Sequence, residues 1–223
     1  MEKPDYDCRV NIGGTVNVLE ACRKTGVKKI IFASSAAVYG DVKVLPVEES
    51  TIACPTSFYG LSKLTAEKYL HLYRQTYGID YISLRYANVY GERQGDSGEG
   101  GVISIFVKRI FQGKPLMVFG DGEQTRDFIY VGDVADANVK ALQSPAGSGI
   151  YNISTMSETS INSLIKMLMK ITGKQAEVIY NPPREADIYR SSLSNLPAVK
   201  FLAWKPKTSL HDGLEATYHF LAR

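Results

Sequence analysis

The sequence predicts an α/β protein: part of an open parallel sheet, followed by a smaller α+β lobe. Three observations carry this. Helix-like and strand-like segments alternate from Asp5 to Tyr86, which is the rhythm of a parallel sheet with crossover helices. The run Lys28-Lys29-Ile30-Ile31-Phe32-Ala33, apolar and directly after a helix, reads as a buried parallel strand. After Gly91 the alternation gives way to a glycine-rich stretch and shorter segments. The expected division is therefore 1–91 and 92–223, with later segments free to return to the first part.

The elements follow in order. Residues Asp5 to Thr25 place Val10, Val16, Val18, Leu19 and Cys22 at roughly helical spacing, and Gly26 ends that helix. After the Lys28–Ala33 strand, a loop with Pro46 and Pro55 leads to a helix from Phe58 to Tyr77, stopped by Gly78. Tyr81–Tyr86 is the next strand. Beyond the glycines at 95, 98, 100 and 101 come a helix at Ile103–Gln112 and strands at Leu116–Phe119 and Phe128–Val131. A helix at Val134–Gln143 and a strand at Ile150–Ile153 follow. Ser160 is placed to cap a helix running to Thr172. Ala176–Tyr180 is a strand, Asn181-Pro182-Pro183 a stop, and Ser209–Leu221 the last helix.

Composition narrows the function classes. The chain has 223 residues, 44% hydrophobic and 22% charged, close to a globular average, so disorder and fibrous repeats are excluded. The net charge of 26 − 23 = +3 is small and scattered, which argues against nucleic acid as partner. Three cysteines, Cys8, Cys22 and Cys54, match no ligand spacing and fit a reducing cytoplasm. The polar start Met1-Glu2-Lys3-Pro4-Asp5 is not a signal peptide. No apolar run reaches the ~18 residues of a membrane span. His71, His211 and His219 lack metal-ligand company, so no metal site is expected.

The chemistry concentrates at Ser34-Ser35-Ala36-Ala37-Val38-Tyr39-Gly40, at the end of the first strand, where ligands sit in open α/β sheets. Further on, Tyr59-Gly60-Leu61-Ser62-Lys63 opens a helix. Tyr59 and Lys63 are i and i+4 and share one face. An ammonium beside a phenol favours the phenolate, and such a tyrosine serves as a general base near neutral pH. Alone, a Tyr–Lys pair at this spacing is more often a surface pair. Joined to Ser-Ser after a strand and to Arg85-Tyr86-Ala87-Asn88-Val89-Tyr90-Gly91 after the next, it is much rarer.

In these motifs the chain resembles the extended short-chain dehydrogenases, namely the NAD-dependent nucleotide-sugar epimerases and dehydratases, and most of all UDP-glucose 4-epimerases. Asn11–Ala21 is similar to the family's NxxGTxNxLEA helix. SSAAVYG, YGLSK and RYANVYG follow in order, then Gly120-Asp121-Gly122 with Arg126-Asp127-Phe128-Ile129-Tyr130-Val131. Asn152-Ile153, Pro182-Pro183-Arg184 and Trp204-Lys205-Pro206 complete the likeness.

The resemblance implies a Rossmann-like sheet in 1–91 and a sugar-nucleotide lobe in 92–223, an NAD cofactor and a UDP-sugar substrate. It makes Ser35 and Tyr59 the catalytic serine and base. Lys63 becomes the lysine that holds the nicotinamide ribose and tunes Tyr59. Ser34, Tyr86 and Ala87 fall beside the cofactor. Asn88, Val102, Ile103, Met117 and Phe119 fall on the substrate, Arg126 and Arg184 on its diphosphate, Asp187 near its ribose. Ala36-Ala37 stand where 4,6-dehydratases have Asp-Glu; two alanines supply no proton, so epimerisation at the sugar C4 through transient oxidation is expected. A silent homologue that binds a UDP-sugar or a partner chain, or a UDP-glucuronate decarboxylase or reductase relative, remains open. Helices matching Asp5–Thr25 and Phe58–Tyr77 form a dimer interface in the family, so Tyr69, Leu70, Leu72 and Tyr73 face either a second copy or the sheet.

The family opens with a strand, a GxxGxxG turn and a helix, which cradle a pyrophosphate. That fingerprint and the first strands, about 90 residues in three strand-plus-helix units, are expected to be missing here. Ile30-Ile31-Phe32 would then form a bare apolar edge, and the chain alone would not bind NAD in the family's way.

Overall fold

The computed structural model describes residues 3–95, 101–184 and 188–221. In chain order, α1 (Pro4–Asp7) passes through a π-helical turn at Cys8–Gly13 into α2 (Gly14–Thr25). Then come β1 (Lys29–Ser35), a 3-10 turn at Ala36–Val38, α3 (Phe58–Tyr77) and β2 (Asp80–Tyr86). β3 (Asn88–Tyr90), α4 (Val102–Phe111), β4 (Leu116–Phe119), β5 (Thr125–Arg126) and β6 (Phe128–Tyr130) follow. Next are α5 (Val131–Gln143), β7 (Gly149–Ile153), β8 (Thr159–Ser160) and α6 (Ile161–Thr172). β9 (Val178–Asn181), α7 (Leu196–Leu202) and α8 (Leu210–Leu221) close the chain.

The single helix expected at Asp5–Thr25 is thus three joined pieces. The interruption ends at Gly13-Gly14, where two residues of low helix propensity meet, and π-turns accommodate such weak points. Gly26 and Gly78, both with φ above +70°, end α2 and α3 in the left-handed conformation that glycine adopts without strain.

The chain divides into two compact units. The first takes the described residues of 1–86, 136–153 and 193–205; the second takes those of 87–135, 154–192 and 206–223. The first unit therefore closes at Tyr86, ahead of the division expected at residue 91, and regains two later segments.

In the first unit β1, β2 and β7 form a parallel sheet in the order β1-β2-β7. The register aligns Ser35 with Tyr86 and Tyr86 with Ile153, so the carboxyl ends of all three strands finish level. Side chains alternate across the sheet. Ile30, Phe32 and Tyr81 pack with Leu19 of α2 and Leu70 and Tyr73 of α3. Ile30 and Phe32 are half-buried rather than bare, because α2 and α3 cover their face; Ile31, also half-buried, points to the other face of the sheet. The backbone edge is another matter: among the described residues β1 pairs with β2 alone. Leu70 and Tyr73 face inward; Tyr69 and Leu72 are exposed.

The second unit holds three small two-stranded sheets, β3-β6 and β4-β9 parallel and β5-β8 antiparallel. Its core joins helix residues to strand residues Tyr90, Leu116, Val118 and Phe128. Ile161, Leu164, Ile165 and Leu168 of α6 and Ile103, Phe106, Val107 and Ile110 of α4 are each at i, i+3, i+4 and i+7, one buried stripe per helix. Ser160 caps α6 by accepting from the Ser163 amide at 3.1 Å, as its sequence position implies. No described helix is long and apolar enough to cross a membrane.

α2 and α3 are joined by a polar clasp. Tyr73 donates to Glu20 at 2.8 Å and Arg23 binds the same carboxylate in two places. Those bonds, from Arg23 first and Tyr73 second, hold the Glu20 carboxyl at about 2, below its ordinary 4.5. A depressed carboxyl stabilises the fold fully above its unfolded value and loses that effect as pH falls through the folded one. The gap in melting temperature between wild type and Glu20→Gln should be full at pH 6 and close progressively as the pH is lowered from about 4.5 toward 2. A gap that does not change over this range would remove the clasp as its cause.

Candidate active site

Ser57 starts α3. Its hydroxyl accepts from the Gly60 amide at 3.0 Å, which fixes Tyr59 in the first turn and Lys63 one turn later. That first turn stands against the end of β1 because residue 60 has no side chain. A Cβ built there would lie 2.3 Å from the Ala37 carbonyl oxygen. The 3-10 turn is in turn capped by Ser35, whose Oγ accepts from the Ala37 amide at 3.2 Å. The YGLSK helix and the SSAAVYG turn are thus packed backbone to backbone.

Lys63 Nζ donates to the Ala33 carbonyl at 3.0 Å and lies 5.7 Å from the Tyr59 ring centroid and 5.1 Å from that of Phe32. Burial lowers the Lys63 pKa, with Asp7 partly offsetting it. Tyr59 is 37% exposed. Tyr59 and Lys63, a phenol and an ammonium, therefore stand beside the end of β1, the strand whose last residue is Ser35.

Ser34 differs from Ser35 by the parity of the strand. Its side chain is 2% exposed and donates to Glu67 Oε1 at 2.6 Å, so the hydroxyl expected beside a cofactor is instead bound within the fold. Tyr86 ends β2 and donates to Asn138 Oδ1 at 3.0 Å; burial raises its pKa, which keeps it a phenol. Ala87 is buried.

Beneath the strand ends runs a polar row that the sequence reading missed. Ser34, Arg85 and Asn152 are aligned across β1, β2 and β7. Glu67 of α3, 3% exposed, accepts from Ser34, from Ser83 at 3.0 Å, and from Arg85 Nε and Nη2 at 3.0 and 2.6 Å. The Arg85 guanidinium lies 4.7 Å from the Tyr39 ring centroid, and Tyr39 donates to Asn152 Oδ1 at 2.7 Å. Burial works against the Arg85 cation, but its bonds to Glu67 prevail and raise its pKa above the ordinary value. One signal was available: Tyr59, Lys63 and Glu67 are i, i+4 and i+8 on one helix face.

The second unit contains a cavity of about 460 Å³, a size that takes small ligands. Asn88, Val102, Met117, Phe119, Arg126 and Arg184 line it together. Arg184 lies over the Phe119 ring, 4.0 Å from the centroid. Arg126 Nη1 donates to the Thr125 carbonyl at 2.8 Å. Two further lining residues were not anticipated: Arg109, which donates to the Pro115 carbonyl at 2.6 Å, and Gln124. Gln124 Oε1 is buried with no hydrogen-bond partner among the described residues. Three guanidiniums, with no acidic residue among the described residues that line the walls, and apolar surfaces between them make a site for an anion carrying a flat or apolar group.

Ile103 does not reach this cavity. It is 1% exposed, in the helical core. Val102, Ile105, Phe106 and Arg109 form the i, i+3, i+4, i+7 stripe that lines the cavity, and Ile103 sits off that face. Asp187 lies outside the described residues. The GxxGxxG spacing expected to be missing does occur once, at Gly95, Gly98 and Gly101. It falls between β3 and α4 of the second unit, after no strand of the β1-β2-β7 sheet, so it is not in the place of a dinucleotide turn. Gly98 also lies outside the described residues.

The order of these features along the chain has a counterpart in known proteins. The profile of the NAD dependent epimerase/dehydratase family matches residues 1–154. The chain belongs to this family. A UDP-glucose 4-epimerase of Mycolicibacterium smegmatis is 39% identical over 222 residues, which is 99% of this chain and 71% of that protein. The crystal structure of UDP-glucose 4-epimerase from Thermotoga maritima with UDP-glucose matches at a TM-score of 0.95 and 43% identity, over 98% of this chain and 71% of that one. UDP-glucuronic acid 4-epimerase from Bacillus cereus, in complex with UDP-glucuronic acid and NAD, matches at 0.90 and 34%, over 96% and 68%. In this member of the family, Gly60 lets the first turn of α3 lie close against the turn that follows β1. Gly60→Ala should cost about 1–3 kcal/mol of overpacking, read by urea denaturation, although alanine is the better helix former. A variant as stable as wild type would show that the Ala37 carbonyl yields freely.

Proposed function

We propose that this chain carries nucleotide-sugar 4-epimerase chemistry, with UDP-glucose and UDP-galactose as the substrate pair. The observation that carries this reading is the placing of Tyr59 and Lys63 beside the end of β1, whose last residue is Ser35, with alanines at 36 and 37 where a dehydratase needs acid and base. The UDP-sugars bound by the two solved relatives and the NAD bound by one support it.

The residues fit a nicotinamide nucleotide at its ribose end. Lys63 uses one ammonium donor on Ala33 among the described contacts, and an ammonium has three. NAD, when bound, supplies the hydride acceptor and donor for the sugar C4. Tyr59 as phenolate takes the proton of the 4-hydroxyl and later returns it. Ser35 holds the same oxygen through its hydroxyl. Lys63 favours the phenolate by its charge and offers its remaining donors to the ribose diol. In the second unit Arg126 and Arg184 grip the diphosphate. Phe119, Met117 and Val102 form apolar walls for the base. Gln124 Oε1 is an acceptor for a base N–H, and Asn88 contacts the sugar side. Asp187 is assigned to the ribose by its motif. The exposed Val18 of α2 and Tyr69 and Leu72 of α3 support a homodimer joined through these helices.

Binding and chemistry are tested separately. Tyr59→Phe should lower epimerisation of UDP-glucose by roughly 10²–10⁴-fold while leaving UDP affinity, measured by titration calorimetry, unchanged. Arg184→Ala should weaken UDP binding by about tenfold to a hundredfold, the worth of a charge-assisted bond. Wild-type turnover in Tyr59→Phe would end the proposal for catalysis; wild-type UDP affinity in Arg184→Ala would end it for the cavity. Running UDP-glucuronate in parallel decides the sugar.

A further inference from the structure

Successive residues of β1 are held by successive turns of α3. Lys63 Nζ takes the Ala33 carbonyl, and Glu67, four residues on, takes the Ser34 hydroxyl. The next residue of β1 is Ser35, whose Oγ accepts from the Ala37 amide. Glu67 also binds Ser83 and Arg85 of β2, so one carboxylate ties α3 to both strands just below their ends.

We propose that Glu67 is a positioning residue: through its bond to Ser34 it sets the end of β1, and so Ser35, against Tyr59 and Lys63 on the same helix. What is positioned rests on the epimerase reading above; the bonds do not. A side chain that only stabilised a buried cation would need Arg85 and nothing from β1. Here the carboxylate divides its contacts. Oε2 receives Arg85 Nη2, and Oε1 receives Ser34, Ser83 and Arg85 Nε. A displacement of about 1 Å between reacting groups costs on the order of a hundredfold in rate, so a tie one residue from the reacting hydroxyl has leverage on catalysis.

Two hydroxyls on the same oxygen make the test. Ser34 and Ser83 are both buried and both donate to Glu67 Oε1. Ser34 adjoins Ser35; Ser83 lies on β2, opposite Phe32 and so further from the strand ends. Ser34→Ala and Ser83→Ala each remove one bond and leave the Glu67–Arg85 pair intact. A structural role alone predicts that the two variants behave alike. Positioning predicts that Ser34→Ala lowers kcat for UDP-glucose by roughly tenfold or more with KM little changed, while Ser83→Ala keeps wild-type kcat at a similar loss of melting temperature. The Ala37 amide gives a second readout that needs no turnover, since it is bonded to Ser35 Oγ. Its hydrogen exchange, followed by NMR, should speed up severalfold in Ser34→Ala and stay at the wild-type rate in Ser83→Ala. Equal exchange in the two variants, or an unchanged Ala37 rate in Ser34→Ala, overturns the proposal. A wild-type chain without epimerase activity defeats the functional reading instead, and the exchange comparison still decides this one.

Discussion

The fold of the first unit depends on the Glu67–Arg85 pair. Both side chains are almost fully buried, and taking two charges out of water costs several kcal/mol per ion unless geometry and further hydrogen bonds compensate. The compensation is visible. Glu67 is surrounded by donors from two strands, and Arg85 adds the face of Tyr39 to its bonds. Arg85 Nη1 is left buried with no hydrogen-bond partner among the described residues, so this cation relies heavily on the one carboxylate. An apolar pair of similar size would often be as stable or more so. What an apolar pair cannot supply is direction: the bonds fix the register of α3 against β1 and β2, where close packing alone would tolerate a slide.

The consequence reaches the strand ends. Because the three strands finish level and the polar row lies one residue below their last residues, Ser34, bound by Glu67, directly adjoins Ser35. The second unit solves a different problem. Its cavity lies beside a core built from helix stripes, and its charge comes from arginines on different elements: Arg109 on α4, Arg126 on β5 and Arg184 after β9. Backbone carbonyls hold Arg109 and Arg126, and the ring of Phe119 holds Arg184. These three contacts are all to neutral groups.

The sequence made the elements legible because their signals are local. The start of α3 at Phe58, the cap at Ser160 and the glycine stops after α2 and α3 all depend on neighbours a few residues apart. Phase was harder. Ser34 and Ser35 are the same residue type and differ only in which face of β1 they occupy, and a pair of serines does not reveal that parity. Ile103 failed for the helical version of the same reason: Val102 and Ile103 are adjacent and both apolar, yet they point about 100° apart on α4. Glu67 was overlooked because a carboxylate in a helix usually belongs to its wet face. Only its partners, 16 to 33 residues away in the chain, make it a buried anchor. The π-turn at Cys8–Gly13 and the short α7 carry too little periodicity to register.

The compactness of the strand-end turn also bears on which reaction it can serve. The Ala37 carbonyl faces Gly60 so closely that no Cβ fits between them, and Ser35 caps the same turn. The proton-carrying groups named for that turn are a phenol, an ammonium and one hydroxyl. Such a set handles the proton of a single oxygen, the demand of a reversible alcohol oxidation; loss of water from the sugar needs a second acid and base. Alanines at 36 and 37 supply neither, so the proposed chemistry is confined to transient oxidation.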